Sequence, residues 1–278
     1  MKVILSRKGF DSASGGCPSP ILPDGSLLPL PIPDKTSKIR YRDLARNDIN
    51  LGDVVVRLTR GRVRGDYGAH LDPDLCWSVL PREPGWRPVF GQRGAAQGHL
   101  RNMGVGPGDL FLFFGLFRDV TTEGMFVPGS HSRHIVWGWM QVGEVLGVDA
   151  CRDRLAWAAY HPHLARARDP TNTVYIAANR LSLEGMSLSD SPAAGVIRRP
   201  AGVQELTAPG ERKVATWRLP AWFHPDGRRS AMTYHARPSV WTRQGDHVLV
   251  QAASRGQEFV VDSADYPEVT AWVAPLIC

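Results

Sequence analysis

Cysteine is scarce in this 278-residue chain, and its four copies, Cys17, Cys76, Cys151 and Cys278, stand far apart with no C-x-x-C pair. Such spacing supports neither a zinc ribbon nor a disulfide scaffold, and the expectation is a reducing, cytoplasmic setting. Long apolar runs are missing too; none approaches the length of a membrane-crossing helix. The first apolar stretch is only Val3-Ile4-Leu5, with charged residues and prolines close behind, so no signal peptide is expected. Also absent are the G-x-x-x-x-G-K-[ST] phosphate loop, the G-x-S-x-G elbow, the G-x-G-x-x-G fingerprint and H-x-E with a later P-C-x-x-C. Those lacks disfavour a P-loop nucleotidase, an elbow-type hydrolase, a dehydrogenase and a zinc deaminase. Lysine is rare: five copies against 28 arginines, in a chain of net charge +6 and pI near 9.4. Guanidinium groups suit bidentate recognition of phosphates and base edges, although abundant Ala, Gly, Pro and Arg also reflect GC-rich coding.

What is present begins at the N-terminus. Lys2 to Ser6 read as a short buried strand that empties into Arg7-Lys8-Gly9-Phe10-Asp11-Ser12-Ala13-Ser14-Gly15-Gly16. Glycines let backbone N–H groups converge on an anion, and Lys8, Ser12 and Ser14 can add donors. The prolines that follow, Pro18 to Pro33, alternate with large apolar residues and predict an extended, anchored segment.

Further along, Asp53 to Leu58 has the β-branched content of a strand, followed by a basic loop with Arg60, Arg62 and Arg64. Gly94 to Met103 predicts a short helix ended by Gly104. The Gly106-Pro107-Gly108-Asp109 turn launches Leu110 to Phe117, a run so uniformly apolar that it predicts a strand buried on both faces. Ile135 to Val145, Thr173 to Ala177, Val248 to Ala252 and Phe259 to Val261 are further strands, and Asp153 to Tyr160 a short helix. No repeat or long linker is visible. The expected architecture is one α+β domain over 1–278, β-rich, with a central twisted or barrel-like mixed sheet and a few short helices.

Residues 104–146, with their Gly-Asp turn, apolar strand and Trp137-Gly138-Trp139-x-Gln141-Val142-Gly143 strand, resemble the PUA-like barrels, which include the ASCH and EVE domains. That resemblance implies a small barrel, with a core around 50–150, that binds DNA or RNA and holds an extruded base. Over nearly its full length the chain is similar to the nucleotide modification associated domain 3 family. The matching residues are Ser6 to Ser12 with Gly15-Gly16, Pro18 to Ile21, Pro23-Asp24-Gly25, His70 to Asp74, Phe90-Gly91-Gln92 with Ala95-Ala96-Gln97, Gly108 to Gly115 and Arg255 to Phe259. The resemblance implies work beside phage or bacterial systems that modify nucleic-acid bases; it fixes neither a reaction nor a cofactor.

The residues suggest one pocket with three walls: the N-terminal loop, the His70/Asp72 loop and the strand entry at Gln257-Glu258. Asp11, His70, Asp72 and Glu258 are the candidate catalytic groups, because proton transfer needs titratable side chains near the substrate. Lys8, Ser12, Ser14, Gly15, Gly16, Gln92, Gln97, Arg255 and Gln257 are the candidate nucleotide-binding residues, with Lys8 on a phosphate and the amides on a base edge. DNA is favoured over RNA, and a free nucleotide is the other partner considered; a non-catalytic base reader would use the same pocket. No membrane partner is expected.

His70-Leu71-Asp72 also fits the H-x-D half of a two-His-one-carboxylate iron site. This Fe(II) oxygenase alternative would draw its second histidine from His131 or His134, with Arg133 on an oxo-acid. The preferred reading is plainer: His70 caps a turn and Asp72, preceding Pro73, starts one. His161-Pro162-His163 can supply metal nitrogens, but no cysteine or acid stands at a supporting spacing, so these histidines read as hydrogen-bonding groups and no zinc is expected.

Overall fold

A computed structural model describes residues 1–278 except 47, 184–190, 228–231, 255, 257 and 278. In chain order its strands open with β1 (Lys2–Arg7), β2 (Ser19–Ile21), β3 (Ile32–Pro33), β4 (Ala45–Arg46), β5 (Ile49–Asn50), β6 (Ala69–His70) and β7 (Val89–Gln92). They continue as β8 (Leu110–Asp119), β9 (Arg133–Gly147), β10 (Thr173–Ala177), β11 (Ala194–Val196), β12 (Thr216–Pro220), β13 (Trp241–Gln244), β14 (His247–Gln251) and β15 (Glu258–Asp262). The α-helices are α1 (Leu51–Thr59), α2 (Gly94–Asn102), α3 (Val148–Cys151), α4 (Pro162–Ala165) and α5 (Glu268–Ile277).

The main sheet has eight strands and runs β15-β1-β8-β9-β10-β7, with β11 on β9 and β2 on β8. β1 is parallel to β8 and antiparallel to β15, so the sheet is mixed, as expected. Among the described residues no pairing joins its two ends. The apolar run of β8 explains why this sheet is central. Leu110, Leu112 and Phe114 enter one core with Trp217, Val248 and Phe259, while Phe111, Phe113 and Phe117 enter the opposite core with Phe90 and Tyr175. Both faces of the strand are dry, because side chains alternate across the pleat. β1 divides in the same way, with Val3 and Leu5 on one face and Ile4 on the other. A three-stranded sheet, β12-β14-β13, and α5 supply side chains to the first core. Asp109 locks the Gly-Asp turn by accepting from the backbone N–H of Lys2 (2.6 Å) and Gly106 (2.9 Å).

One expected strand is a helix. Asp53 to Leu58 lies inside α1, where Leu51, Val55 and Leu58 are buried at helical spacing and Val56 faces outward. Asn50 caps the helix by accepting from Gly52 N–H at 2.8 Å, and tertiary burial of one stripe overrides the strand preference of three consecutive valines. The basic loop therefore leaves a helix, through Arg60 in a left-handed conformation. The expected helix at Asp153 to Tyr160 is a 3₁₀ segment over Asp153–Ala158. No helix among the described residues is long and apolar enough to cross a membrane.

Candidate functional site

Five separated stretches of chain meet around a polar cavity of about 450 Å³. The end of β1 brings Arg7 and Lys8, and the loop after it brings Asp11 and Ser14. The β3–β6 ladder pairs Ile32 with His70 and so places Asp34, Lys35, His70 and Asp72 on one wall. β7 contributes Gly91 and Gln92, with Arg93 at its end, and the α4 segment contributes His163 and Arg166.

The N-terminal loop does gather backbone N–H groups on an anion, but the anion is its own. Asp11 Oδ1 accepts from the N–H of Ala13 (2.8 Å) and Ser14 (2.7 Å). The Asp11 N–H donates to Ser14 O and the Gly16 N–H to Asp11 O, closing the loop on itself. Asp11 is thus a turn-former at the cavity edge rather than a free general base. Ser12, Gly15 and Gly16 face a neighbouring depression shared with Lys35, Arg40, Arg62 and Tyr67. Asp34, Lys35 and Pro33 belong to both hollows and form the ridge between them.

Lys8 is not a free phosphate ligand either. The pairing of Ser6 with Glu258 across β1 and β15 sets the acid beside it, and Lys8 Nζ lies 3.0 Å from Glu258 Oε1. Gln92 Nε2 donates to that same oxygen at 2.7 Å, and the ammonium also stands 4.7 Å from the centre of the Phe90 ring. Glu258 is almost wholly buried, so the pair forms a neutralised floor beneath the cavity. Gln97 points elsewhere: it is buried on α2 and accepts from the Tyr175 hydroxyl at 2.9 Å. Arg255 and Gln257 lie outside the described residues.

The histidines hold the chief surprise. His70, Asp72 and His163 bring one potential ligand atom each, a ring nitrogen or a carboxylate oxygen, within 4.8 Å of one another. Asp72 Oδ2 is 3.8 Å from His70 Nε2 and 3.7 Å from His163 Nε2. Each ring is held from behind: His70 Nδ1 is 2.8 Å from Asp34 Oδ2, and His163 Nδ1 is 2.6 Å from Asn172 Oδ1. The Asn172 amide is itself fixed, because its Nδ2 donates to the His163 carbonyl at 2.7 Å. Asp72 Oδ1 accepts the Gly91 N–H at 2.7 Å and lies 3.3 Å from His161 Nε2.

Electrostatics follow from this packing. Burial pushes the Asp72 carboxyl up, but the surrounding His161, His163 and His70 rings outweigh it and hold the group below the usual carboxylate range. The hydrogen bond from His70 keeps Asp34 below that range as well, against the opposing effect of burial. Burial lowers His163 to about 4 in spite of the Asp72 charge, so its ring is neutral at physiological pH.

Neither His131 nor His134 completes the H-x-D pair. His131 is exposed, and His134 is half-buried beside Trp217, whose indole N–H donates to its Nδ1 at 3.0 Å. His163 takes that place, brought in by the α4 segment and by Asn172 just ahead of β10, which pairs with β7. The sequence contained its signal in His161-Pro162-His163, where Pro162 opens a helix capped by His161.

A family model described as nucleotide modification associated domain 3 matches residues 2–262. The chain belongs to that family. The match spans every segment that lines the cavity, from Arg7 to Arg166. The family's description ties the chain to nucleotide modification, and hence to a nucleotide-related partner. Among curated proteins and solved structures, nothing matches the chain.

Proposed function

We propose that the chain is an enzyme that processes a nucleotide held in the cavity between β1, β6, β7 and α4, with a base of a DNA strand as its target. The observation that carries this reading is convergence: Lys8, Asp11, Ser14, His70, Asp72 and Gln92, drawn from three distant parts of the sequence, line one hollow. Its volume, about 450 Å³, lies in the range of small-ligand sites. Exposed Lys35 and Arg93, with half-buried Arg7, stand at its rim, where exposed cations can hold a phosphate without being desolvated. Deeper in, Gln92 has its Nε2 tied to Glu258 and its amide oxygen accepting the Arg93 N–H at 3.1 Å, which leaves that oxygen one lone pair for an exocyclic amine. Lys8 with Glu258 keeps the floor polar yet uncharged overall.

The adjoining depression at Gly16, Arg62 and Tyr67 supports a strand over a lone nucleotide, since it offers cations and an exposed ring to a neighbouring residue of the substrate. The test is calorimetric titration of the chain with a nucleoside monophosphate and with a short oligonucleotide, followed by mass spectrometry of the recovered bases. Binding that weakens roughly tenfold or more in Arg93→Ala and Gln92→Ala, with altered bases, is the expected result. Tight binding with unaltered bases would replace the enzyme by a reader. Absence of binding to both ligands would overturn the nucleotide assignment.

A further inference from the structure

The geometry points to a metal centre: we propose that His70 Nε2, His163 Nε2 and Asp72 Oδ2 bind one divalent first-row transition ion, of the Fe(II) kind, whose open side faces the cavity. Three potential ligand atoms converge there. Asp34 Oδ2 and Asn172 Oδ1 accept only, so each takes an N–H from the Nδ1 of its histidine, at 2.8 and 2.6 Å. In the neutral rings both Nε2 atoms are then free to coordinate, and both stand on the Asp72 carboxylate. Their distances to Asp72 Oδ2, 3.8 and 3.7 Å, are too long for hydrogen bonds. A cation seated between the three would find a ligand atom from each of them within reach.

The supporting shell has the form that metal sites use. A ligating imidazole donates its far N–H to a carboxylate or an amide oxygen, which fixes its tautomer and raises its basicity. His70 has Asp34, itself 3.1 Å from Arg166, and His163 has Asn172. The remaining Asp72 oxygen is occupied by the Gly91 N–H, leaving Oδ2 alone for the ion. Neighbouring ligands bound at about 2.0–2.2 Å on one side of an ion stand roughly 2.8–3.1 Å apart, so a bound ion would draw the two histidine nitrogens toward Asp72 by up to about an ångström.

Two imidazoles and one carboxylate on one side of an ion, with the other side open, suit Fe(II) and its neighbours better than magnesium or calcium, which favour all-oxygen shells. The open positions look into the cavity lined by Gln92 and Lys8, where a water or a substrate oxygen would bind. This inference rests on side-chain geometry and not on the identity of the substrate, and it is tested with no nucleotide present.

The experiment is anaerobic titration of the full chain with Fe(II), and with Co(II) as a spectroscopic probe. One equivalent should bind, with the visible absorption of a nitrogen-ligated cobalt ion and a rise in unfolding temperature. His163→Ala and His70→Gln should each weaken Co(II) binding by roughly a hundredfold or more, Asp34→Asn by about tenfold to a hundredfold, and His131→Ala not at all. If a ligand variant fails to fold, the cobalt spectrum and thermal shift of the unaltered chain decide the matter. Failure of that chain to bind either ion, binding of magnesium in preference to both, or full affinity retained in folded His163→Ala would overturn the proposal.

Discussion

The ring of His163 lies directly on Gly91: a Cβ at residue 91 would stand 2.3 Å from both Cγ and Cδ2 of the imidazole. No real side chain tolerates that approach, so the glycine of Phe90-Gly91-Gln92 is required by the histidine and not by a turn. Its N–H meanwhile holds Asp72 Oδ1 at 2.7 Å. One residue of β7 therefore positions two of the three groups that converge on the cavity. Gly91→Ala should push His163 aside, destabilise the fold by about 1–3 kcal/mol through overpacking, and weaken Co(II) binding. Chemical denaturation and cobalt titration of the same variant check both effects. A variant that binds cobalt like the unaltered chain would show that the ring need not rest there.

Asp74 and Arg82 make a pair that is entirely buried, with both side chains wholly shielded from solvent. Two parallel bonds of 2.6 Å join them, the Tyr160 hydroxyl donates to Asp74 Oδ2, and Arg82 also reaches the Cys76 carbonyl. Backbone bonds of Asp74 to Val89 fasten this knot to β7, so it braces the loop that carries His70 and Asp72. Asp74→Ala should cost about 3–5 kcal/mol, because it strands a buried guanidinium. Asp74→Leu combined with Arg82→Met should recover much of that loss, as measured by urea unfolding. Equal destabilisation by the single and the double variant would mean that packing, not charge, dominates here.

Much of the fold was legible because apolar patterning is strong where the sheet is central. β1, β8, β9, β10 and β15 fall where Val3-Ile4-Leu5, Leu110 to Phe117, Ile135 to Val145, Thr173 to Ala177 and Phe259 to Val261 place them. The valines of α1 misled, since three β-branched neighbours look alike whether one or all of them are buried. At the site, the H-x-D pair was visible but its partner was not: His134 lies at the start of β9 and His131 just before it, and only the pairing of β10 with β7 brings His163 across. Asp34 and Asn172 carried no signal of their own, because a second layer of support is defined by contact and not by spacing.

His134 gives the fold an acid-sensitive point outside the cavity. Burial is the main cause of its depression to about 3, with the Arg7 charge adding to it, and its Nδ1 must stay unprotonated to accept the Trp217 indole N–H. The folded chain thus keeps this ring neutral between about pH 6.5 and 3, where the unfolded chain takes up a proton. Stability from this residue is complete above the unfolded value and falls as the pH drops through that window, by about 2 kcal/mol at pH 5. Urea unfolding at pH 7.5 and pH 5 should show the loss, and His134→Gln should reduce the difference between the two. An unchanged difference in the variant would assign the acid sensitivity to other groups.

The salt dependence of substrate binding should distinguish a strand from a single nucleotide. Arg60, Arg62 and Arg64 follow α1, but they are not equally free to meet phosphates. Arg64 is held by Asp66 through bonds of 3.0 and 2.6 Å, and Arg62 Nε donates to the Thr59 carbonyl at 3.2 Å while its guanidinium lies against Gly16. Arg60 is exposed at the end of the helix. Two of the three therefore remain available to a backbone crossing the Tyr67 depression, and the third is already neutralised. Each phosphate neutralised releases condensed counterions, about 0.7 per contact on a single strand and 0.9 on a duplex. Replacing all three arginines by alanine should then flatten the slope of log affinity against log salt by about one to two units. A mononucleotide confined to the main cavity would keep its affinity in that variant and lose it instead in Arg93→Ala. An oligonucleotide whose salt slope is untouched by the triple change would place the strand elsewhere on the molecule.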